Sequence, residues 1–301
     1  MALRPLERYA LMSVAAALAT IALKTAAWLV TGSVGLLSDA LESLINLAAA
    51  LLALGMLRVA AAPPDAAHPY GRFKAEYVAS GVEGALILLA AASIAWSAVP
   101  RLLAPAPIDA PALGVALSLA ATGINLGIAV LLMKAGRHHR SIALEADGQH
   151  LMTDVWTSVG VVAGVALVAL TGWHVLDPLI ALAVALHILW TGAVLVRRSF
   201  RGILDQALEG ADLGAIERIF AEYRRRHGVE FHALRTRQAG SRRFISFHLL
   251  VPDEWTVARA HGLSEEIEER IRELLENAIF LTHIEPISQP ASYDDEKLER
   301  P

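Results

Sequence analysis

The sequence predicts a membrane all-α six-helix bundle followed by a small cytoplasmic α+β domain. Of 301 residues, 55% are hydrophobic and only 19% are charged, against about 25% charged in an ordinary soluble domain. This excess of apolar surface requires lipid as its solvent. The net charge of −4 argues against a nucleic-acid partner, and the absence of cysteine excludes disulfides and thiolate metal sites.

The apolar residues form six segments long enough to cross the bilayer, which takes about 20 residues each. Basic residues lie before the first segment, after the last, and in alternate connections between them. The positive-inside rule therefore predicts a multi-pass protein with both termini in the cytoplasm. The short connections and the lack of a targeting extension lead us to expect a bacterial inner membrane. The segments are 9–31, 34–57, 78–103, 110–134, 146–171 and 175–196.

A change in charge marks the end of the transmembrane domain. Residues 1–204 hold 13 Lys/Arg and 11 Asp/Glu, whereas residues 205–301 hold 13 and 19. We therefore assign 1–204 to the membrane, 205–291 to a cytoplasmic domain and 292–301 to a disordered tail. Periodicity predicts the order α-β-β-α-β in the cytoplasmic domain, with Asp212 capping its first helix. These elements are 211–227, 229–238, 244–251, 257–276 and 278–284.

Two membrane segments carry pairs of polar residues that are four positions apart. Glu42 and Asn46 share one face of the second helix, and His150 and Asp154 share one face of the fifth. Ionisable groups inside a membrane mark ion paths by default, so two such helices side by side predict a four-ligand site for a divalent cation. A structural alternative is hydrogen bonding between helices.

The membrane segments carry further polar residues, and three of them have a predicted role. We expect Glu83 in the third helix and Asn125 in the fourth to form interhelical hydrogen bonds. Asp147 lies near the cytoplasmic end of the fifth helix, where it either supports the ligands or lines an entrance.

These motifs together resemble the cation diffusion facilitator family of divalent-metal/proton antiporters, over nearly the whole chain. The resemblance rests on Ser-Asp-Ala-x-Glu-Ser-x-x-Asn at 38–46, His-Pro-Tyr-Gly-Arg-Phe-Lys-Ala-Glu at 68–76, Ala-Asp-x-x-His-x-x-x-Asp at 146–154, and Asp177-Pro178. It implies a homodimer in a lipid bilayer that exports divalent metal ions, with protons as the counter-ion.

The resemblance implies that Glu42, Asn46, His150 and Asp154 are the transport ligands. The family usually has Asp or His at the first position and Asp at the second, so this site has two carboxylates rather than three. Asn46 contributes a neutral amide oxygen and cannot take up a proton. Histidine with carboxylates favours zinc, while manganese, iron(II), cobalt and cadmium remain open.

The resemblance implies two further metal sites. Asp65 and His68 match part of a site between helices two and three, but Arg72 stands where the family often has His, so we expect no complete site. The C-terminal part resembles the family's metallochaperone-like domain, which binds zinc between protomers. Its implied ligands are His232, His248, His261, His283 and Glu285. Scattered surface histidines are the alternative reading.

Proton-coupled efflux of a divalent cation, with zinc favoured, is thus the expected function. A non-transporting dimeric membrane metal sensor or scaffold is the alternative, because Asn46 departs from the family pattern. An intramembrane hydrolase is disfavoured, since no nucleophile–base set is visible and we expect no enzyme.

Overall fold

The structure is a computed structural model that describes residues 4–31, 34–103, 112–173, 175–208 and 210–294. It consists of two compact units, Met1–Arg201 and Gly202–Pro301. Each unit has its own hydrophobic core.

Six long helices form the first unit, and each has 28 to 30 residues. A helix of this length spans about 42–45 Å at 1.5 Å per residue, which exceeds the roughly 30 Å hydrocarbon core. Among the described residues, four helices meet the length and hydropathy of a membrane span. The predicted fold class is confirmed. The helices are α1 (Arg4–Thr31), α2 (Val34–Ala61), α3 (Ala75–Leu103), α4 (Ala112–His139), α5 (Ile142–Thr171) and α6 (Leu176–Ile203).

Several helices are longer than predicted, and the extra turns carry polar or basic residues. For example, α4 continues to His139, α5 begins at Ile142, and α6 continues to Ile203. Hydropathy detects only the stretch of a helix that lies in lipid. The helix itself can extend into water, because its backbone hydrogen bonds do not require apolar side chains, so the apolar segment is shorter than the helix.

The first turn of α5 is fixed by a buried acid on α3. The Ser141 hydroxyl, at the N-cap position, donates to Glu76 Oε2 at 2.5 Å, and the backbone N–H groups of Ile142 and Ala143 also donate to this carboxyl group. These donors would otherwise lack partners at a helix N-terminus. The contact fixes the start of the helix that carries His150 and Asp154.

Helices α4 and α5 approach each other closely at two glycines. A Cβ atom on Gly136 would lie 2.7 Å from the backbone nitrogen of Glu145, and one on Gly148 would lie 3.0 Å from the carbonyl oxygen of Ala129. The separation at Gly136 is shorter than side-chain carbons tolerate, and the one at Gly148 is tighter than most Cβ contacts, so both positions favour glycine.

The second unit has a three-stranded sheet covered on one face by two helices. Strand β2 is central, antiparallel to β1 and parallel to β3. Phe231, Phe247 and Leu249 on one sheet face pack with helix residues such as Phe220 and Ile267. The elements are α7 (Ala211–His227), β1 (Glu230–Ala239), β2 (Arg242–Val251), α8 (Val257–Leu274), β3 (Ala278–Pro286) and the 3-10 helix Pro290–Tyr293.

Two local expectations in this unit differ from the structure. The N-cap of α7 is Gly210, while Asp212 lies in the first turn and accepts a hydrogen bond from buried Arg243 at 3.1 Å. Leaving the buried Arg243 guanidinium without a carboxylate would destabilise the domain more than leaving the helix without a side-chain cap. Ser292 and Tyr293, which we assigned to the tail, belong to the 3-10 helix. The rest of the tail, from residue 295, lies outside the described residues.

Candidate metal centres

Three of the four predicted transport ligands meet in the middle of the membrane unit. His150 Nε2 donates to Asn46 Oδ1 at 2.7 Å, and the Asn46 amide donates to Asp154 Oδ2. All three side chains are buried. The side chain of Glu42, the fourth predicted ligand, lies outside the described residues.

A third helix, α4, contributes to this cluster through Asn125. Its amide donates to Asp154 Oδ2 at 3.2 Å, so the expected interhelical hydrogen bond is confirmed. Two buried polar atoms of the cluster, His150 Nδ1 and Asn125 Oδ1, have no hydrogen-bond partner among the described residues. The sequence marked Asn125 as a polar residue in lipid, but gave no sign that it reaches Asp154.

The spacing of the cluster is close to that of metal ligands. Zinc bonds of about 2.0–2.1 Å place two ligand atoms of a tetrahedron about 3.3 Å apart. Asn46 Oδ1 and His150 Nε2 are 2.7 Å apart, so a shift of about half an ångström would admit an ion between them. In the structure, Asn46 Oδ1 and His150 Nε2 bind each other, so these two atoms have a hydrogen-bond partner without an ion.

A cavity of about 540 Å³ extends from this cluster along α3 and α6. Asn46, His150 and Asp154 line one end, and Arg101 and Pro178 line the other. Arg101 ends α3 and Pro178 begins α6. The cavity thus leads to the helix ends opposite the segment between α2 and α3, which carries the predicted loop site.

In that segment, an arginine contacts the acid of the predicted loop site. Asp65 accepts hydrogen bonds from the backbone N–H of His68 at 2.8 Å and from the Arg72 guanidinium at 2.5 Å. The His68 ring also lies 3.2 Å from the same carboxylate. The backbone hydrogen bond from His68, together with Arg72, lowers the pKa of Asp65 below its ordinary value. The Arg72 charge lies where a metal ion would need the carboxylate.

The cytoplasmic unit brings three predicted ligands to one point. His232 Nε2 and His248 Nδ1 are 3.1 Å apart, and each lies 3.0 Å from Glu285 Oε2. These separations again approach the distance of about 3.3 Å between ligands of a tetrahedral ion. Sheet pairing explains the arrangement, since His232 is opposite His248 and His248 is opposite His283. Side chains opposite each other in a sheet share one face, and this face is the one without helices.

The remaining two predicted ligands differ in position. His283 Nε2 is 3.5 Å from Glu285 Oε1, at the exposed edge of the cluster. His261 is on α8, in the helical layer, and its nearest carboxylate is Glu265 at 4.0 Å. Within the described chain, His261 does not join the other four. Tyr293 of the 3-10 helix packs edge-on against His232, with ring centroids 5.8 Å apart, a contact that no sequence pattern indicated.

A bundle of six long helices around buried imidazole, amide and carboxylate groups, with a separate domain that groups histidines and a carboxylate, is typical of a multi-pass membrane protein that handles metal cations. The chain belongs to the cation diffusion facilitator family, whose members are cation efflux transporters. The family model for the cation efflux transmembrane domain matches residues 10–204, and that for the cation efflux protein cytoplasmic domain matches residues 208–287.

Full-length relatives agree with this assignment. The chain is 55% identical over 285 residues to the uncharacterized transporter sll1263 of Synechocystis sp., covering 95% of this chain and 92% of the relative. It is 31% identical to the cation-efflux pump FieF of Cronobacter sakazakii and 30% identical to that of Salmonella arizonae. Each of these two alignments covers 95% of this chain and 94% of the relative.

Proposed function

We propose that this protein exports a divalent cation from the cytoplasm in exchange for protons, with zinc as the favoured ion. The observation that carries the proposal is the meeting of Asn46, His150 and Asp154 at one end of a cavity. One imidazole, one carboxylate and one amide oxygen, with Glu42 as the fourth ligand, suit zinc. Manganese, iron(II), cobalt and cadmium are the other candidate ions.

Proton exchange follows from the chemistry of the ligands. A metal binds deprotonated carboxylate and neutral imidazole, so protons and metal compete for the same atoms. When the cavity side is open, protons reaching His150 and Asp154 would lower the affinity and release the ion. Asn46 then returns to the hydrogen bonds with both side chains that stabilise the empty site.

The direction of transport depends on the orientation in the membrane. Six spans place both termini on one side, and the basic connections favour the cytoplasmic side of a bacterial inner membrane. In this orientation the cavity opens away from the cytoplasm, since it runs toward Arg101 and Pro178.

The cytoplasmic cluster supports a regulatory zinc site in a homodimer. The sheet face without helices exposes the apolar residues Ile279 and Leu281 beside His283. A second copy against this face would bury them. His261, distant from the cluster within one chain, has no assigned part in this site. Glu285 has two carboxylate oxygens for two ions.

Transport into inverted vesicles tests the proposed site. We expect His150→Ala and Asp154→Ala to abolish proton-driven zinc uptake, because each removes a ligand atom that no neighbour replaces. Thr153→Ala is the matched control, since Thr153 lines the same cavity but its hydroxyl donates to the Gln149 carbonyl. Wild-type uptake in both ligand variants would overturn the assignment.

A sensor or scaffold is the second candidate function. It is favoured by the neutral Asn46 in the membrane and by the close grouping of His232, His248 and Glu285 outside it. A sensor binds zinc and moves none, so wild-type protein in proteoliposomes with an imposed pH gradient separates the two functions. Zinc binding without any flux would favour the sensor.

A further inference from the structure

Two buried acids, Glu83 of α3 and Asp147 of α5, form a carboxyl pair outside the ligand cluster. Glu83 is 0% exposed and Asp147 is 2% exposed. They lie close enough for the charge of Asp147 to act on Glu83. Both Glu83 carboxyl oxygens and Asp147 Oδ2 have no hydrogen-bond partner among the described residues. The expectation that Glu83 forms an interhelical hydrogen bond is wrong within that part of the chain.

The pair lies on the opposite side of the ligand cluster from the cavity. Asp147 is about one turn before His150 on α5, toward the helix end fixed by Glu76. Neither acid lines the cavity. Ala79 and Ala143, one turn before Glu83 and Asp147 respectively, are fully buried in one apolar cluster. The two carboxyl groups are thus enclosed in the closely packed half of the bundle.

No cation among the described residues neutralises the pair. Ser13 of α1 lies beside Asp147. Of the cations on this helix, Arg8 is exposed and lies five residues before Ser13, and Lys24 lies eleven residues after it, about 16 Å away along the axis. On α6, Arg198 is paired with Glu145 at 2.5 Å. The nearest other titratable groups are the hydrogen-bonded Glu76 on α3 and the cluster residues His150 and Asp154 on α5; the described part of α4 contributes Asn125 there. Two buried ionised carboxylates that act on each other and lack hydrogen-bond donors are strongly disfavoured in such surroundings, which leaves protons to neutralise them.

We propose that Glu83 and Asp147 are a proton-binding pair, which holds a proton while this half of the bundle is closed and releases it to the cytoplasm when it opens. The proton leaves one carboxyl oxygen for water, and the remaining carboxylate is then hydrated. Its role in transport rests on the proposed function. The pair would supply a titratable group that Asn46 cannot.

Infrared spectroscopy of the purified full-length protein tests proton binding directly. We expect a protonated-carboxyl band at neutral pH that is lost or reduced in both Glu83→Gln and Asp147→Asn. Glu145→Gln is the matched control, because Glu145 is buried on the same helix as Asp147 but forms an ion pair with Arg198 at 2.5 Å. A wild-type spectrum in both test variants overturns the proposal.

A metal-binding measurement tests whether the two acids bind a metal ion instead of a proton. Equilibrium dialysis against zinc or manganese should give equal numbers of bound ions for wild type and Glu83→Gln. The loss of one ion per chain in the variant would mean that the pair binds metal, and would overturn the proposal.

Transport measurements test the role of the pair in the cycle. In everted vesicles, where the cytoplasmic face is outside, we expect log(kcat/KM) for zinc to rise with external pH less steeply in Glu83→Gln, by about one unit of slope. If the slope in Glu83→Gln equals that of wild type while wild type still exchanges protons, the pair has no role in transport, and the proposed function stands. An absence of proton exchange in wild type refutes the proposed function instead, and the infrared measurement still tests the pair.

Discussion

The substitution Asn46→Asp tests the membrane site most directly, because it restores a third carboxylate. The Asn46 amide donates to Asp154 Oδ2, so an aspartate there places two carboxylates in contact. Two unit charges about 3 Å apart repel by about 5 kcal/mol at an effective dielectric constant near 20. This corresponds to nearly a 10⁴-fold change in proton affinity. One proton therefore stays on the pair at neutral pH in the absence of metal.

Zinc binding must expel this additional proton. We expect the variant to release one more proton per bound zinc than wild type, and its log Kd to depend on pH more steeply by about one unit of slope. It should bind zinc more tightly at alkaline pH, and this advantage should shrink about tenfold for each unit of acidification. Calorimetry of the full-length protein in buffers of different ionisation enthalpy counts the protons released.

Two controls isolate the effect. All proteins carry Glu285→Ala, so that the cytoplasmic cluster loses its shared carboxylate. Asn46→Ala removes the amide oxygen without adding charge, and should weaken binding while leaving the proton count at the wild-type value. If Asn46→Asp releases the same number of protons as wild type, with the same pH slope, residue 46 is not a ligand and the argument fails.

The other predictions concern residues outside the membrane site. Glu285→Ala should reduce the number of zinc ions bound per chain while zinc transport persists, as measured by dialysis and vesicle uptake. Arg72→His should add one bound zinc, because it replaces the cation beside Asp65 with a ligand. Tyr223→Phe should lower the free energy of unfolding by about 1 kcal/mol, through loss of the hydrogen bond to Glu266. Burial and then Glu266 raise the pKa of Tyr223 from 10.0 to about 12, so its stabilisation is complete below pH 10.0 and is lost as the pH rises through about 12. Tyrosine absorbance should therefore lose its highest-pH transition in the variant.

Each of these predictions has an outcome that contradicts it. A wild-type zinc count in Glu285→Ala would show that the cytoplasmic histidines bind without the carboxylate. Arg72→Lys is the control for Arg72→His, because it keeps the charge and adds no imidazole. If the number of bound zinc ions also rises in Arg72→Lys, or does not rise in Arg72→His, the imidazole is not the cause. An unaltered absorbance titration in Tyr223→Phe would mean that another tyrosine titrates last.

The sequence predicted which helices exist and failed on where they end. Apolar windows identify the lipid-crossing stretch, so all six long helices of the first unit were predicted. Their terminal turns depend on contacts such as that of Glu76 with Ser141, 65 residues away in the chain. No local pattern contains such a contact.

For the candidate sites, the sequence predicted which residues share one face of a helix or strand, but not which other element that face contacts. Helical spacing placed His150 and Asp154 on one face, and strand alternation placed His283 and Glu285 on one side. Whether those faces meet depends on the register between elements, as in the pairing of His248 with His283. The same limitation explains why the isolation of Glu83 was not foreseen, since a missing partner is visible only when every neighbouring helix is in place.

The two glycines between α4 and α5 bear on how the transporter moves. With backbone against backbone at Gly136 and Gly148, these helices cannot slide or rotate past each other without a clash, so they travel as one rigid block. His150 and Asp154 are both on α5 and move with this block, whereas Asn46 is on α2. A conformational step that exposes the ion to the other side of the membrane is therefore expected to displace neighbouring helices, such as α2, α3 or α6, relative to this block.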